Sequence, residues 1–227
     1  MKKKEDEMIM VTPAGPLLEI AHEGISFGCD NFVRHLFSGR YEFHRRGDVE
    51  SDPTLKQIIP YILVRDTSGR FLVHQRGGKS GEQRLAGSLS LGIGGHINED
   101  DAPKYSSNIV WFETFVRGAI REFREEISLS HVAGFKPVAS LIALINDNST
   151  EVGKVHMGAA MIVDVLEGMS VVSGEDDVQN VKWMTATELA ENSVTERLES
   201  WSQLLVPVLG NVAHAEYLVN PISRIVL

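Results

Sequence analysis

The sequence of 227 residues contains a single cysteine, Cys29, which excludes an intramolecular disulfide and any zinc site built from four cysteines. It also lacks an apolar stretch of about 18 residues, the length that a membrane-spanning helix needs. The lysines at positions 2–4 are followed at once by acidic residues, where a signal peptide would have its apolar region. We therefore expect a cytoplasmic protein that does not bind or cross a membrane.

Positive charge is also scarce, because 22 lysines and arginines face 31 aspartates and glutamates, which gives a net charge of −9. Proteins that bind nucleic acid backbones need clustered basic residues, so we expect no nucleic acid partner. The acidic balance instead suits carboxylates that hold a metal ion. With 43% hydrophobic residues the chain can bury the core of one domain, which we place at residues 56–227 behind an N-terminal extension of residues 1–55.

Three glutamates stand close together between Arg121 and Glu126, in a segment whose apolar residues recur at helical spacing. At about 100° per residue, Glu122, Glu125 and Glu126 fall on one flank of the apolar stripe. Carboxylates at the edge of a buried face are suitable ligands for Mg²⁺, which binds oxygen. The alternative is a solvated helix face on which Arg121 pairs with Glu125 one turn later. A motif this short does not decide between the two interpretations.

A glycine pair precedes this helix. Ser88–Ile93 predicts a strand that leads into Gly94, Gly95 and His96, and glycines at that place let the backbone approach a metal or a pyrophosphate. Gly118, one turn before the first glutamate of the cluster, removes a side chain and leaves room for a loop or a phosphate. His96 is interpreted either as a residue that contacts substrate or acts as a base, or as a structural histidine held by hydrogen bonds.

The glycine loop and the acidic spacing from Glu113 to Leu129 resemble the Nudix box, a loop–helix–loop that binds Mg²⁺ and hydrolyses a nucleoside diphosphate linked to another moiety. The resemblance covers residues 57–213 and implies an α/β fold, the Nudix-type α/β/α sandwich with a mixed sheet. It implies Mg²⁺, or alternatively Mn²⁺, held by the three glutamates and the carbonyl of Gly95. It also implies catalytic roles for the glutamates, for Arg121, and for Glu113 as the partner of Arg121. All three glutamates are metal ligands, or alternatively one of them is the general base.

The chain departs from the family pattern at two glycines. The glycine expected six residues before the first glutamate is Ser107, whereas counting forward from Gly95 puts Asp101 where that glutamate should be. We interpret residues 101–112 as an insertion between the glycine loop and the helix, and we expect it to form a loop at the rim of the site. The later glycine of the box is Ser128, so the helix must end without a left-handed glycine.

The other elements are predicted from local patterns. Apolar runs predict strands over residues 58–64 and 70–75, joined by a turn, and over 137–145, 155–165 and 178–184. Helices are predicted over Asp30–Phe37, from the capping box Thr185–Glu188, and over Glu196–Val212, where Pro207 should kink or split the helix.

Substrate contacts are expected from the loop that follows the second strand of the hairpin. Arg76 and Arg84, with Lys79 and Gln83, are candidates for phosphate or base contacts, because a guanidinium group matches the geometry of a phosphate. The alternative is a mobile surface loop. The resemblance also makes Glu175, Asp176 and Asp177 candidates for one further acidic metal ligand from a later loop, and the alternative is an ordinary acidic turn.

The sequence therefore predicts a Mg²⁺-dependent hydrolase of a phosphoanhydride bond in a nucleoside diphosphate-linked or related phosphorylated small molecule. Residues 81–85 before the glycine loop resemble a bacterial branch of MutT-like predicted phosphoesterases. A homodimer that exchanges the extension is compatible with catalysis. The alternative is a non-catalytic Nudix module that senses a ligand or binds a partner. Such regulators usually lose glutamates of the box or add a basic DNA-binding domain. Here all three glutamates remain and the tail after Met184 is short and not basic, so we expect an enzyme.

Overall fold

A computed structural model describes residues 3–77, 87–104, 110–129, 137–166, 171–173, 178–214 and 224–226. The strands are β1 (Met8–Pro13), β2 (Gly24–Ser26), β3 (Glu42–Arg45), β4 (Leu55–Arg65), β5 (Phe71–Arg76), β6 (Leu89–Ser90), β7 (Gly92–Ile93), β8 (Ile127–Leu129), β9 (Val138–Asn146), β10 (His156–Asp164), β11 (Val171–Ser173), β12 (Val178–Met184) and β13 (Arg224–Val226). The helices are α1 (Ala14–Leu18), α2 (Asp30–Ser38), α3 (Arg46–Val49), α4 (Trp111–Glu126), α5 (Glu151–Val155), α6 (Ala186–Leu189), α7 (Asn192–Thr195) and α8 (Ser200–His214).

The main sheet is mixed and has the strand order β12-β5-β4-β10-β9-β13. Strand β10 runs parallel to β4 from the pair His156–Gln57 to the pair Asp164–Arg65, and the other pairings are antiparallel. Every residue of β4 from Lys56 to Val64 is buried, because helices cover both faces of the sheet at this strand. This burial explains why the strand has a continuous apolar sequence rather than an alternating one.

Two hydrophobic cores lie on opposite faces of the sheet, as the predicted α/β/α sandwich requires. One face packs against α2 and α4 through side chains that include Phe32, Leu36, Phe115, Ala119 and Phe123. The other face packs against α6, α8 and the segment just before α8 through Leu189, Leu198, Trp201, Leu205 and Leu209. Successive residues of β4 alternate between the cores. The fold class predicted from the sequence is confirmed.

The N-terminal extension is part of the same sheet. Strand β1 pairs with β3 and also with β4, and β2 pairs with β9. The amide of Met10 donates to the carbonyl of Ile97 over 2.8 Å, one residue after His96. Helix α2, which the sequence predicts, buries its apolar side against α4. The extension therefore forms one wall of the loop that follows Gly95.

Helix α8 begins at Ser200 and continues through Pro207, so of the two predicted alternatives, a kink or a split, the split is wrong. The buried carboxylate of Glu199 caps its first turn, since it accepts hydrogen bonds from the amides of Trp201 and Ser202, each over 3.0 Å. The same carboxylate accepts a short hydrogen bond from the hydroxyl of Tyr61 in β4. Within the described ranges, α8 included, no helix is long and apolar enough to cross a membrane.

Lys56 is a buried cation that joins four segments of the chain. Its ammonium group donates to the side-chain oxygens of Asn146 and Asn148, each over 3.1 Å, and to the carbonyls of Gly153 at 2.9 Å and His156 at 3.1 Å. Burial lowers the pKa of Lys56 to about 8, although the negative charges of Glu23 and Asp147 oppose that shift. The loop after β9 is thereby tied to β4 and to the start of β10.

We expect Lys56→Met to lower the free energy of unfolding by about 3 kcal/mol, because several buried oxygens lose their donor at roughly 1 kcal/mol or more each. Urea denaturation measures the change. Lys154→Met is the matched control, since Lys154 pairs with Glu151 at the surface, and it should change stability by about 0.5 kcal/mol or less. Equal effects of the two substitutions would contradict a structural role for the buried ammonium.

Candidate functional site

The glutamate cluster lies on the second half of α4. Phe115, Ala119 and Phe123 form the buried side of this helix, as the spacing predicts. The helix ends where Ile127 takes an extended backbone conformation, with φ −131° and ψ 130°, and begins β8. Strand β8 pairs with β11, so the chain leaves the helix directly into a strand. This explains how the helix ends with Ser128 at the position of the expected glycine.

Gly95 brings the backbone of the glycine loop against the first glutamate of the cluster. A Cβ atom on Gly95 would lie 2.6 Å from Oε2 of Glu122, closer than any side chain allows. On the same flank, a Cβ on Gly118 would lie 2.4 Å from Cδ1 of Ile97 and 2.9 Å from Oδ2 of Asp101. The two glycines therefore let the loop pack directly on the carboxylate flank of α4. The prediction that Gly118 leaves room for a loop is confirmed.

Arg121 is bound by Asp101, and the predicted pairing with Glu113 is wrong. Nε of Arg121 donates to Oδ1 of Asp101, and Nη2 donates to Oδ2, each over 2.9 Å. Nη2 also donates to the carbonyl of His96 over 2.8 Å. Nη1 donates to Oε1 of Glu122 over 2.7 Å and to Oε2 of Glu125 over 3.0 Å. A single guanidinium thus joins the glycine loop to two glutamates of the cluster.

Glu113 instead binds Arg117, one turn later, over 3.0 Å. Glu113 and Arg121 are eight residues apart on one helix, a rise of about 12 Å, which their side chains do not bridge. Asp101 takes the position that counting forward from Gly95 gives to the acidic residue. The insertion therefore starts after Asp101, and residues 111 and 112, which we had assigned to it, form the first turn of α4. Residues 105–109 lie outside the described chain.

Burial raises the pKa of Glu122 to about 7, although the positive charge of Arg121 opposes the shift. The side chain of Glu122 is 13% exposed and that of Glu125 is 48% exposed, so the cluster runs from the interior to the surface. Glu126 is partly buried one turn after Glu122. A second positive charge next to Glu122 would stabilise its ionised form.

The chemistry of the donors fits a hard divalent cation. The groups at this place are carboxylate oxygens and the backbone of Gly95, with no thiolate and no imidazole aimed at them in the described residues. Among those residues, no three acidic, histidine or cysteine side chains form a group that could hold a metal without rearrangement. Glu122 and Glu125 instead converge on Nη1 of Arg121, a cationic group that already brings their charges together.

His96 joins this cluster through its backbone and has a partly exposed side chain. Its Nε2 lies 2.8 Å from Oε1 of Gln57 and 3.1 Å from Nε2 of His156. Burial lowers the pKa of His96 well below its ordinary value, and the positive charge of Arg46 adds to the shift. His96 is therefore neutral near pH 7 and held by hydrogen bonds, as the structural interpretation of this residue requires.

Arg76 is a cation without a carboxylate partner in the described part of the chain. Its Nε is buried and makes no hydrogen bond there, and the same holds for Nδ1 of His74. Both residues point to the face of β5 that also carries Leu72, which packs in the core shared with α4. Burial lowers the pKa of His74 to about 4, and the charge of Arg76 contributes to this shift.

Several predicted site residues lie outside the described chain. These are Lys79, Gln83, Arg84, Glu175, Asp176 and Asp177. Sequence reasoning missed the role of Asp101, although the count from Gly95 points to it. It also missed Gln57, His74 and His156. These three stand inside strands and carry no local signal that separates them from ordinary buried polar residues.

Comparisons with known proteins identify relatives of this chain. No protein-family model matches the sequence. Protein YmaB of Bacillus subtilis (strain 168) is 33% identical over 212 residues, which cover 91% of this chain and 98% of YmaB. The solved structure of Tm1382, described as a candidate Nudix hydrolase, is 28% identical with a TM-score of 0.70, and the match covers 91% of this chain and 100% of that one. Both matches are longer than residues 56–227 and extend into the N-terminal extension.

Proposed function

The chain belongs to the Nudix hydrolases, and we propose that it uses a divalent metal ion, Mg²⁺ with Mn²⁺ as a substitute, to hydrolyse a phosphoanhydride bond in a nucleoside diphosphate-linked small molecule. One observation carries the proposal. The backbone of Gly95 lies against a buried carboxylate, Glu122, whose ionised form is unfavourable unless a further positive charge is near.

The metal ligands in this proposal are Glu122, Glu125, Glu126 and the carbonyl of Gly95. A bound divalent ion neutralises the charge of the diphosphate and lowers the pKa of a coordinated water molecule. Arg121 holds the glycine loop and the glutamates in one arrangement, because its five N–H groups reach Asp101, the carbonyl of His96 and two carboxylates. Two of the proposed ligands, Glu122 and Glu125, and the glycine loop are thus held close together before substrate binds.

Arg76 supplies the phosphate contact in this proposal. A buried N–H group without an acceptor is unfavourable by about 1–3 kcal/mol, so a ligand that provides the acceptor gains that energy. A phosphate oxygen is the matching acceptor, since guanidinium groups bind phosphate through paired hydrogen bonds. Arg76 lies on the face of the sheet that packs against α4, the helix of the glutamates.

We expect hydrolysis to depend entirely on a divalent cation. The test is a panel of ADP-ribose, nucleotide sugars, dinucleoside polyphosphates and nucleoside triphosphates, with the mononucleotide, phosphate and pyrophosphate products separated by ion chromatography. Turnover should fall more than about a hundredfold in excess chelator, because the metal supplies several kcal/mol of transition-state stabilisation. It should return with Mg²⁺ and, to a different extent, with Mn²⁺.

Two results would contradict the proposal in different ways. Unchanged turnover in excess chelator would show that the metal assignment is wrong. Tight binding of a panel member, measured by calorimetry, without any turnover in Mg²⁺ or Mn²⁺ would favour a ligand-sensing module over an enzyme.

A further inference from the structure

Strand β5 carries two polar side chains whose hydrogen-bonding groups are buried without a partner. His74 is 2% exposed, and its Nδ1 makes no hydrogen bond in the described part of the chain. Nε of Arg76 is also buried and has no partner there. Buried polar atoms without partners are rare in folded proteins, and a bound ion or a functional role is a common reason for them.

Both side chains lie on the face of the sheet that α4 covers. Residues two apart on a strand point to the same side, and their Cα atoms are about 7 Å apart. Leu72 is the preceding residue on this side of β5, and Val178 of β12 pairs with Arg76. Leu72 and Val178 both belong to the hydrophobic core that packs against α4. His74 and Arg76 therefore face the helix that carries the glutamates.

The strands around β12 place this pair toward the end of α4 at which the glutamates stand. Helix α4 ends at Glu126 and continues directly as β8, which pairs with β11. Strand β11 contacts β12, whose first residue, Val178, pairs with Arg76. The two groups without partners and the proposed metal ligands therefore lie toward the same end of α4.

The charge of the pair favours an anion as the missing partner. Arg76 has no carboxylate partner among the described residues and is partly exposed, so the pair extends from the interior to the surface. Burial lowers the pKa of His74 to about 4, and the positive charge of Arg76 lowers it further. A neutral acceptor would leave this repulsion in place, whereas an anion between the two groups cancels it. Hydrogen bonds of about 2.8 Å to two oxygens of one phosphate would bridge the gap between the side chains.

We propose that His74 and Arg76 together bind a terminal phosphoryl group of the substrate, which a nucleoside triphosphate has and a nucleotide sugar lacks. A terminal phosphoryl group has three free oxygens and a charge of about −1.5 to −2 at pH 7. A phosphoryl group between two ester or anhydride links has two free oxygens and a single charge. The larger charge matches a guanidinium beside a histidine that accepts a proton when an anion binds. Anion binding by the pair does not depend on the proposed function, whereas the substrate class rests on it.

Anion binding is measured on the full-length protein in chelator, so that no metal takes part. The chain has 8 histidines, and the ring signals of His74 in ¹⁵N-labelled protein are assigned by comparison with His74→Phe. We expect these signals to shift and saturate as inorganic phosphate is added at pH 7.5. They should stay in place with dimethyl phosphate, a monoanion with two ester links, at the same ionic strength. The absence of a saturable shift with phosphate, or equal shifts with both anions, would overturn the proposal.

Substitutions of two arginines show whether Arg76 is the second half of the site. In Arg76→Gln the phosphate-dependent shift of His74 should disappear, because the charge that attracts the anion is gone. The matched control is Arg70→Gln, since Arg70 lies just before β5 and pairs with Asp66 at the surface, and it should keep the wild-type titration. Equal titrations of the two variants would contradict a joint site.

His74→Phe separates a ligand contact from a structural role. Phenylalanine fills the space and removes a buried atom without a partner, so we expect Tm to stay the same or rise. The kcat/KM for nucleoside triphosphates relative to ADP-ribose should fall about tenfold, mostly through KM, as the loss of one hydrogen bond to a charged group predicts. A large fall in Tm with equal losses on both substrates would indicate a structural histidine.

The two kinds of measurement keep this inference apart from the proposed function. Hydrolysis of ADP-ribose in preference to every nucleoside triphosphate of the panel would contradict the substrate class. If no member of the panel is hydrolysed, the proposed function and the substrate class both fail, and the phosphate titration still decides whether the pair binds an anion. If the panel is hydrolysed and phosphate leaves His74 unchanged, the proposed function stands and the terminal phosphoryl subsite is wrong.

Discussion

Glu122→Gln is expected to lower kcat about a thousandfold or more while the protein remains folded. The substitution keeps the shape of the side chain and removes the negative charge that lies against Gly95. A thousandfold loss corresponds to about 4 kcal/mol of transition-state stabilisation, which matches the several kcal/mol that a metal ion contributes. Steady-state kinetics on the substrate found in the panel, with Mg²⁺ varied, measures both kcat and the concentration of metal that gives half of maximal activity.

The same substitution should stabilise the metal-free protein at alkaline pH. The pKa of Glu122 rises from 4.5 to about 7 on folding, so the folded chain holds a proton there that the unfolded chain has released. The free energy of unfolding therefore falls as the pH rises from about 4.5 to 7, in total by roughly 3 kcal/mol at about 1.4 kcal/mol per pKa unit. Glutamine does not ionise, so the variant should lack this loss.

Thermal unfolding in chelator at pH 5 and pH 8 tests this stability effect. The control is Glu196→Gln, because Glu196 is exposed and far along the chain from α4, and it should leave kcat and the pH dependence of Tm unchanged. Wild-type turnover by the folded Glu122 variant would instead support the solvated salt-bridge face. A variant that is inactive and also destabilised at pH 8 would indicate a structural carboxylate.

The elements that the sequence predicts correctly carry local signals. The apolar run of β4, the helical spacing of α4 and the capping box at Thr185, which the structure contains, each depend on neighbours in the chain. The pairing of β1 with β4 joins residues more than forty positions apart, and no local pattern encodes it. Pro207 does not split α8 for a related reason. The packing of Leu205 and Leu209 in the core holds α8 together where local propensity would break it.

The features of the site also separate into those that the sequence predicts and those that depend on the fold. The closeness of Gly95 and Glu122 was predictable, because a glycine loop that leads to a helix of carboxylates limits where each can lie. The partner of Arg121 was predicted wrongly, because the sequence does not show where the insertion begins. That starting point decides whether Asp101 or Glu113 corresponds to the acidic residue that follows the glycine loop. His156 belongs to β10 and meets His96 only through the parallel pairing of β10 with β4. Such contacts depend on the order of the strands in the sheet, which local sequence patterns do not predict.

Asp101 and Glu113 offer a direct test of which acidic residue supports Arg121. We expect Asp101→Asn to lower kcat about a hundredfold and the free energy of unfolding by about 3 kcal/mol, because it removes a buried charge that binds the guanidinium at two points. This loss lies at the lower end of the range that is typical when one partner of a buried ion pair is removed, because Glu122 and Glu125 remain as partners of Arg121.

Glu113→Gln is the matched control, and it is the residue that the box pattern assigns to Arg121. Its contact with Arg117 is a helix-surface ion pair, worth about 0.3–0.5 kcal/mol. We therefore expect a clearly smaller loss of stability than for Asp101→Asn and a change in kcat of less than about twofold. Urea denaturation and steady-state kinetics of the two variants measure the contrast. A large loss in Glu113→Gln together with a mild effect of Asp101→Asn would return the role to the helix residue. It would also show that Asp101 is not needed to hold the glycine loop against α4.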